Sequence, residues 1–197
     1  WARQPTLPRR LSRLGPGVGW YDLDGDGWEE LLVAGGRGGA LAIYRNLQGQ
    51  AWSAVTNRPV ASADQGAVLG WPDGQGGRRV LVSVSNEERP AGSVSQVEVH
   101  SLAGSQPEIL AAGTHAIGAL VSADVDGDGD LDIFIPSIHR AEKGLWGDGS
   151  AISGCNDCVA TVPWSVLIND GKGKFTLNQK YIVVNLKSYD MKKSSTF

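Results

Sequence analysis

The chain is written in short apolar runs set between turns rich in Gly, Pro, Asn and Asp, with few long stretches of strong helix formers. Such punctuation predicts an all-β protein. Gly17-Val18-Gly19-Trp20-Tyr21 reads as a short buried strand whose glycines permit close backbone approach. Strands are expected next at Glu30–Ala34, Ala40–Arg45 and Ala51–Val55, joined by turns over Gly35–Gly39 and Asn46–Gln50. Together they make a meander of four strands in about 40 residues.

The unit then recurs. Gly66-Ala67-Val68-Leu69-Gly70 matches the first strand, Val80–Val84 the second and Gln96–Ser101 the third. A further copy opens at Ile117-Gly118-Ala119-Leu120-Val121 and continues into Ile133-Phe134-Ile135. The segments joining first and second strands begin at Asp22, Trp71 and Asp124, which are 49 and 53 residues apart. A period near 50 with four strands per unit is the signature of a propeller blade. The expected organisation is an N-terminal arm over 1–14, blades over 15–58, 66–103 and 117–178, the start of a fourth over 179–186, and a frayed tail over 187–197. The third blade carries an insertion. Tyr44-Arg45-Asn46 aligns with Leu167-Ile168-Asn169, yet the Asn follows its loop start by 24 residues in the first copy and 45 in the third. The surplus falls within residues 138–164.

Charge changes the picture at two places. Residues 22–30, Asp-Leu-Asp-Gly-Asp-Gly-Trp-Glu-Glu, and 124–132, Asp-Val-Asp-Gly-Asp-Gly-Asp-Leu-Asp, hold 10 of the chain's 21 acidic residues. The net charge of −3 therefore hides a remainder with 11 acids against 18 Lys and Arg. At 4 Å two like charges repel by about 1 kcal/mol in water and about 4 kcal/mol at an effective dielectric near 20. Five acids in nine residues call for a neutralising partner, and Ca²⁺, which accepts six to eight flexible oxygen ligands, is the natural one. Loop positions one, three, five and nine would supply side chains and position seven a backbone carbonyl. In the first loop these are Asp22, Asp24, Asp26 and Glu30 with the carbonyl of Trp28; in the other they are Asp124, Asp126, Asp128 and Asp132 with the carbonyl of Asp130. Gly27 and Gly129, at position six, permit the sharp turn. An EF-hand is excluded, because its bidentate Glu at position twelve is replaced by Val33 and Ile135 inside apparent strands. The plain alternative is a solvated Asp-Gly turn; two loops in the same frame of a repeat weigh against it.

The middle loop, Trp71-Pro72-Asp73-Gly74-Gln75-Gly76-Gly77-Arg78-Arg79, keeps only Asp73 of the side-chain ligands and is not expected to bind calcium. Arg79 either places a guanidinium near the vacated site and pairs with Asp73, or is an exposed surface residue.

The order of strand, D-x-D-G-D-G-x-x-[DE], apolar strand and then Asn169-Asp170-Gly171-Lys172-Gly173-Lys174-Phe175 resembles the FG-GAP/VCBS repeat family, to which integrin α-subunit propellers and bacterial secreted repeat proteins belong. The resemblance covers residues 15–178, strongly in the first and third copies and weakly in the second. It implies a calcium-stabilised β-propeller, usually of seven blades, displayed outside the cytoplasm. Three blades and a stub do not close such a ring, and an open end exposes sheet edges. The native ring is thus expected to include further sequence. A start at Trp1 rather than Met agrees with a fragment or processed form, so the lack of a signal peptide carries no information on compartment.

The remaining chemistry is sparse. The small net charge provides no field favouring nucleic acid, and no stretch reaches the roughly 18 apolar residues of a membrane span. Cys155-Asn156-Asp157-Cys158 lacks the second ligand pair of a structural zinc site, with His139 the nearest candidate, and has Val159 where haem attachment needs His. A local disulfide stapling the insertion, suited to an oxidising compartment, is the favoured reading, with free thiols as the alternative. His100, His115 and His139 are scattered and read as surface or packing residues. Of the seven tryptophans, Trp20, Trp52 and Trp71 read as packing anchors, whereas Trp146 and Trp164 bracket the insertion and are better placed for a binding surface.

The leading expectation is a binding or adhesion module outside the cytoplasm, extracellular, at the cell surface or periplasmic. Two structural Ca²⁺ ions would brace it, and its loops, residues 138–164 above all, would meet a protein or glycan partner. The rival is an enzyme. Some polysaccharide lyases use calcium-loop propellers, and His139, Arg140, Glu142 and Lys143 in the insertion would then act in proton abstraction beside a sugar carboxylate. No catalytic constellation is visible to support it.

Overall fold

A computed structural model describes residues 16–73, 76–86, 89–90, 93–104, 106–113, 116–138, 159–172 and 174–185. Among them every regular element is a β-strand and none is a helix. The first sheet takes β1 (Val18–Tyr21), β2 (Glu30–Val33), β3 (Ala42–Leu47) and β4 (Ala51–Ala54) in chain order. The second takes β5 (Gln65–Pro72), β6 (Arg78–Val84), β7 (Ser95–His100) and β8 (Glu108–Gly113). The third is built from β10 (Val121–Ala123), β11 (Asp132–Ile138), β12 (Val159–Asn169) and β13 (Phe175–Asn185), with β9 (Ala116–Ile117) pairing the far end of β11. All pairings are antiparallel, so the described residues form three meanders of the kind the apolar pattern predicts.

Four expectations need correction. The second unit ends at Gly113 rather than 103, because Ala111 and Glu108 pair with Val97 and Val99. Glu-Ile-Leu-Ala-Ala-Gly is poor strand sequence on its own, and its partner makes it a strand. The opening strand expected over 117–121 divides into β9 and β10, which pair with opposite ends of β11. Third, β12 starts at Val159, inside the expected insertion. Finally, residues 179–185 do not open another unit. They continue β13 without a break, Gln179 facing Ser165 and Asn185 facing Val159. An apolar run identifies a strand but not its partner.

The register also shifts the repeat frame by one in the middle unit. Tyr21 pairs with Glu30 and Ala123 with Asp132, but Arg79 pairs with Trp71. Trp71 is therefore the counterpart of Tyr21 and Ala123, not of Asp22 and Asp124. Without a row of carboxylates to splay the connection, the ladder closes one pair further, through Pro72 and Arg78.

Side-chain alternation along β6 explains the packing. Val80 and Val82 point to one face and join Leu23, Leu32, Leu41 and Ile43 of the first unit. Leu81 points to the other and joins Trp71, Val97, Ile133, Ile135 and Leu167. The second sheet is thus covered on both faces, which is why β6 reads as a continuous apolar run rather than an alternating one. Each such aliphatic side chain contributes about 1.5–3 kcal/mol on burial. Among the described residues the first sheet is covered on one face. Trp20, 53% exposed, and Trp52, 48% exposed, pack on each other with ring centroids 5.5 Å apart. Of the three tryptophans read as anchors only Trp71 is one, against Phe175 at 5.0 Å; β1 is correspondingly not a buried strand.

The glycines at the unit starts act as expected. A Cβ on Gly17 would overlap the carbonyl oxygen of Gly66, and one on Gly70 would overlap the Tyr21 ring. Ser83 Oγ accepts a bond from Ala67 N (2.8 Å) and donates to Gly118 O (3.1 Å), joining the start of the second unit to that of the third. Gly17→Ala is expected to push β1 from β5 and to destabilise the chain by about 3 kcal/mol, the upper end for overpacking. Urea denaturation measures this.

The N-terminal arm, the tail, Cys155, Cys158, Trp146, His115 and His139 to Lys143 lie outside the described residues.

Candidate metal centres

The two acidic loops fold alike because their sequences impose the same turns. Gly25 and Gly27 adopt φ of 82° and 90°, and Gly127 and Gly129 adopt 82° and 92°. Only position six was expected to be left-handed; position four is as well, so both glycines are required. The position-one carboxylate organises each turn. Asp22 accepts from Gly25 N (2.8 Å) and Gly27 N (3.1 Å), and Asp124 from Gly127 N (2.7 Å) and Gly129 N (3.0 Å). Asp24 accepts from Asp26 N and Asp126 from Asp128 N, both at 3.3 Å.

Position nine is the first residue of β2 and of β11, and Glu30 and Asp132 are fully buried there. Glu30 Oε2 accepts from Leu23 N at 2.7 Å, whereas Glu30 Oε1 is buried without a hydrogen-bond partner. Asp132, one carbon shorter, uses both oxygens: Val125 N donates to Oδ2 and Asn169 N to Oδ1, each at 2.8 Å. Carboxylate oxygens of Asp22, Asp24 and Glu30 lie within 4.8 Å of one another, as do those of Asp124, Asp126 and Asp132. Either trio can hold a metal ion. Asp26 and Asp128 stand outside the trios; their Oδ1 atoms accept from Trp28 N (2.8 Å) and Asp130 N (2.9 Å). Those bonds hold in place the position-seven residues whose carbonyls were the expected fifth ligands.

The residues present suit a hard cation. Each trio offers only acceptors, and an ionised oxygen buried without a donor, like Glu30 Oε1, is costly unless a positive charge meets it. The Asp126 carboxyl is held above the usual carboxylate range, first by lost hydration in the crowded loop and then by repulsion from Asp128.

Two supports were not anticipated as parts of the site. Asn46 Nδ2 donates to the Glu29 carbonyl and Asn169 Nδ2 to the Leu131 carbonyl, each at 3.3 Å and each at loop position eight. The aligned Asn residues thus clamp the β3–β4 and β12–β13 turns onto their acidic loops. The signal was present in the alignment of Asn46 with Asn169, but its target was not. Second, Arg78 of the middle unit reaches the first loop, with Nη1 2.7 Å from the Asp22 carbonyl and 3.0 Å from Asp22 Oδ2. Arg45 Nε lies 3.7 Å from Asp24 Oδ2.

The middle loop has no acidic trio among the described residues. Arg79 Nη2 is 3.3 Å from Asp73 Oδ2, the ion pair that was one of two expectations, and Gly77 N donates to Asp73 Oδ1 at 2.7 Å. His100 is a packing residue, buried with its Nε2 3.0 Å from Glu98 Oε2. No helix among the described residues is long and apolar enough to cross a membrane. Comparison with models of protein families, with curated proteins and with solved structures finds no match to this chain.

Proposed function

We propose that the chain is a calcium-braced β-propeller module of the FG-GAP/VCBS type, acting outside the cytoplasm in adhesion or in recognition of a protein or glycan. The observation that carries the metal reading is Glu30 Oε1, an unpartnered carboxylate oxygen at full burial beside Asp22 and Asp24. Asp22, Asp24 and Glu30 would hold one ion and Asp124, Asp126 and Asp132 the other, with Asp26, Asp128 and the carbonyls of Trp28 and Asp130 as further oxygen donors. Calcium would supply charge neutralisation to loops made wholly of acceptors, in a role that is structural rather than catalytic. Stacked four-stranded meanders repeating about every 50 residues support the propeller part of the reading. The extracytoplasmic setting is part of the proposal because calcium is abundant enough there to fill sites even of the weak class.

The lyase alternative depends on His139, Arg140, Glu142 and Lys143, and no observation among the described residues favours it. Calorimetric titration of the full chain with Ca²⁺ is expected to give two sites per molecule. Titration with no heat of binding, and Mg²⁺ equally without effect, would exclude the metal reading.

A further inference from the structure

We propose that Arg78 is a resident cation of the first acidic loop and lowers its metal affinity by sharing Asp22 with the ion. The proposal rests on the calcium reading above and concerns how one site is regulated. Arg78 belongs to the middle sheet, where it pairs with Pro72, but its guanidinium crosses to the neighbouring unit. There Nη1 donates to the Asp22 carbonyl at 2.7 Å and lies 3.0 Å from Asp22 Oδ2. Asp22 is also the carboxylate that receives Gly25 N and Gly27 N, so the arginine grips the group that shapes the whole turn.

The middle loop shows the limiting case, in which Arg79 has taken the place of the position-nine acid and pairs with Asp73. The first loop thus borrows Arg78 from the next sheet, beside Arg45 of its own, where the middle loop has its arginine built in. A guanidinium and a divalent ion that share a carboxylate repel each other. Because binding couplings are reciprocal, each must weaken the other's hold on Asp22. In the metal-free chain Arg78 ties the first unit to the second; metal then takes over part of its task.

The test uses the full chain with Asp124→Asn and Asp126→Asn, which leaves the first loop as the acidic trio. Ca²⁺ is titrated calorimetrically. Tb³⁺ is followed by tryptophan-sensitised emission, since Trp28 belongs to the first loop while Asp130 stands at that position in the other. Adding Arg78→Gln is expected to tighten both ions by about tenfold, the salt-screened loss of one nearby positive charge. It should also lower the midpoint of thermal unfolding in chelator. Arg78→Lys, which keeps the charge, should leave affinity near that of the parent. Metal binding that is unchanged or weaker in Arg78→Gln overturns the proposal while leaving the calcium reading intact. Loss of binding in parent and variant alike overturns both. Arg78→Met, which keeps the aliphatic stem and removes the charge, takes the same two readings if Arg78→Gln does not fold, and unchanged or weaker metal binding there overturns the proposal.

Discussion

Glu30→Gln is expected to leave the metal-free chain as stable as before, or more so, while weakening Ca²⁺ binding at residues 22–30 by at least about tenfold. The opposite signs follow from the two oxygens of one side chain. Oε2 accepts from Leu23 N at 2.7 Å, and the glutamine oxygen can keep that bond. Oε1 has no partner at full burial, and there the substitution exchanges an uncompensated anion for a neutral amide. An unmet ionised group in the interior costs more than a neutral one, so chelated protein loses nothing. With calcium present the same exchange removes a charged ligand. Were the acidic loop merely a solvated turn, the variant would respond identically with and without calcium. Thermal unfolding in chelator and in calcium, beside calorimetric titration, separates these outcomes.

Calcium itself should raise stability substantially. For a site of the weak extracellular class, 10 mM Ca²⁺ at about 100 times Kd contributes about 2.7 kcal/mol, and two sites about 5 kcal/mol. In a chain of this size that corresponds to a rise of about 10–20 °C in Tm over the chelated protein. The direction is supported by the carboxylate crowding that holds the Asp126 carboxyl above its usual range. A group of that kind disfavours the metal-free fold as pH rises through its folded pKa, since it must ionise among like charges. Metal-free stability from Asp126 is therefore greatest below the usual carboxylate range and falls above it, while calcium binding, which needs the ionised form, follows the reverse course. A midpoint insensitive to Ca²⁺ at neutral pH would contradict both the ligand sets and the structural role.

Much of the fold could be read locally. Alternation along Val80–Val84, the Gly-rich unit starts and the turns at Gly25, Gly27, Gly127 and Gly129 are short-range facts, because φ preference and side-chain direction depend on a residue and its immediate neighbours. The acidic loops were legible for the same reason. Five carboxylates in nine residues repel wherever the chain carries them, and the spacing that brings positions one, three and nine together is set within the loop. The aligned Asn46 and Asn169 were visible too, though not the carbonyls they bind.

Tertiary structure decided whatever depends on which surface meets which. Glu108–Gly113 becomes a strand because Val97 and Val99 lie beside it, and residues 179–185 stay in β13 because 159–165 pair with them. Trp71 is buried while Trp20 and Trp52 are half exposed, because among the described residues the middle sheet is covered on both faces and the first on one. The oxygen of Glu30 that no donor reaches, and the arginine that crosses from β6 to Asp22, were equally beyond local pattern. By itself the sequence determined most of the strands, the turns and the two acidic loops, all products of forces acting over a few residues. Folding alone decided strand partners, exposure and which loop carries a cation, since these arise between units about 50 residues apart that only sheet packing brings together.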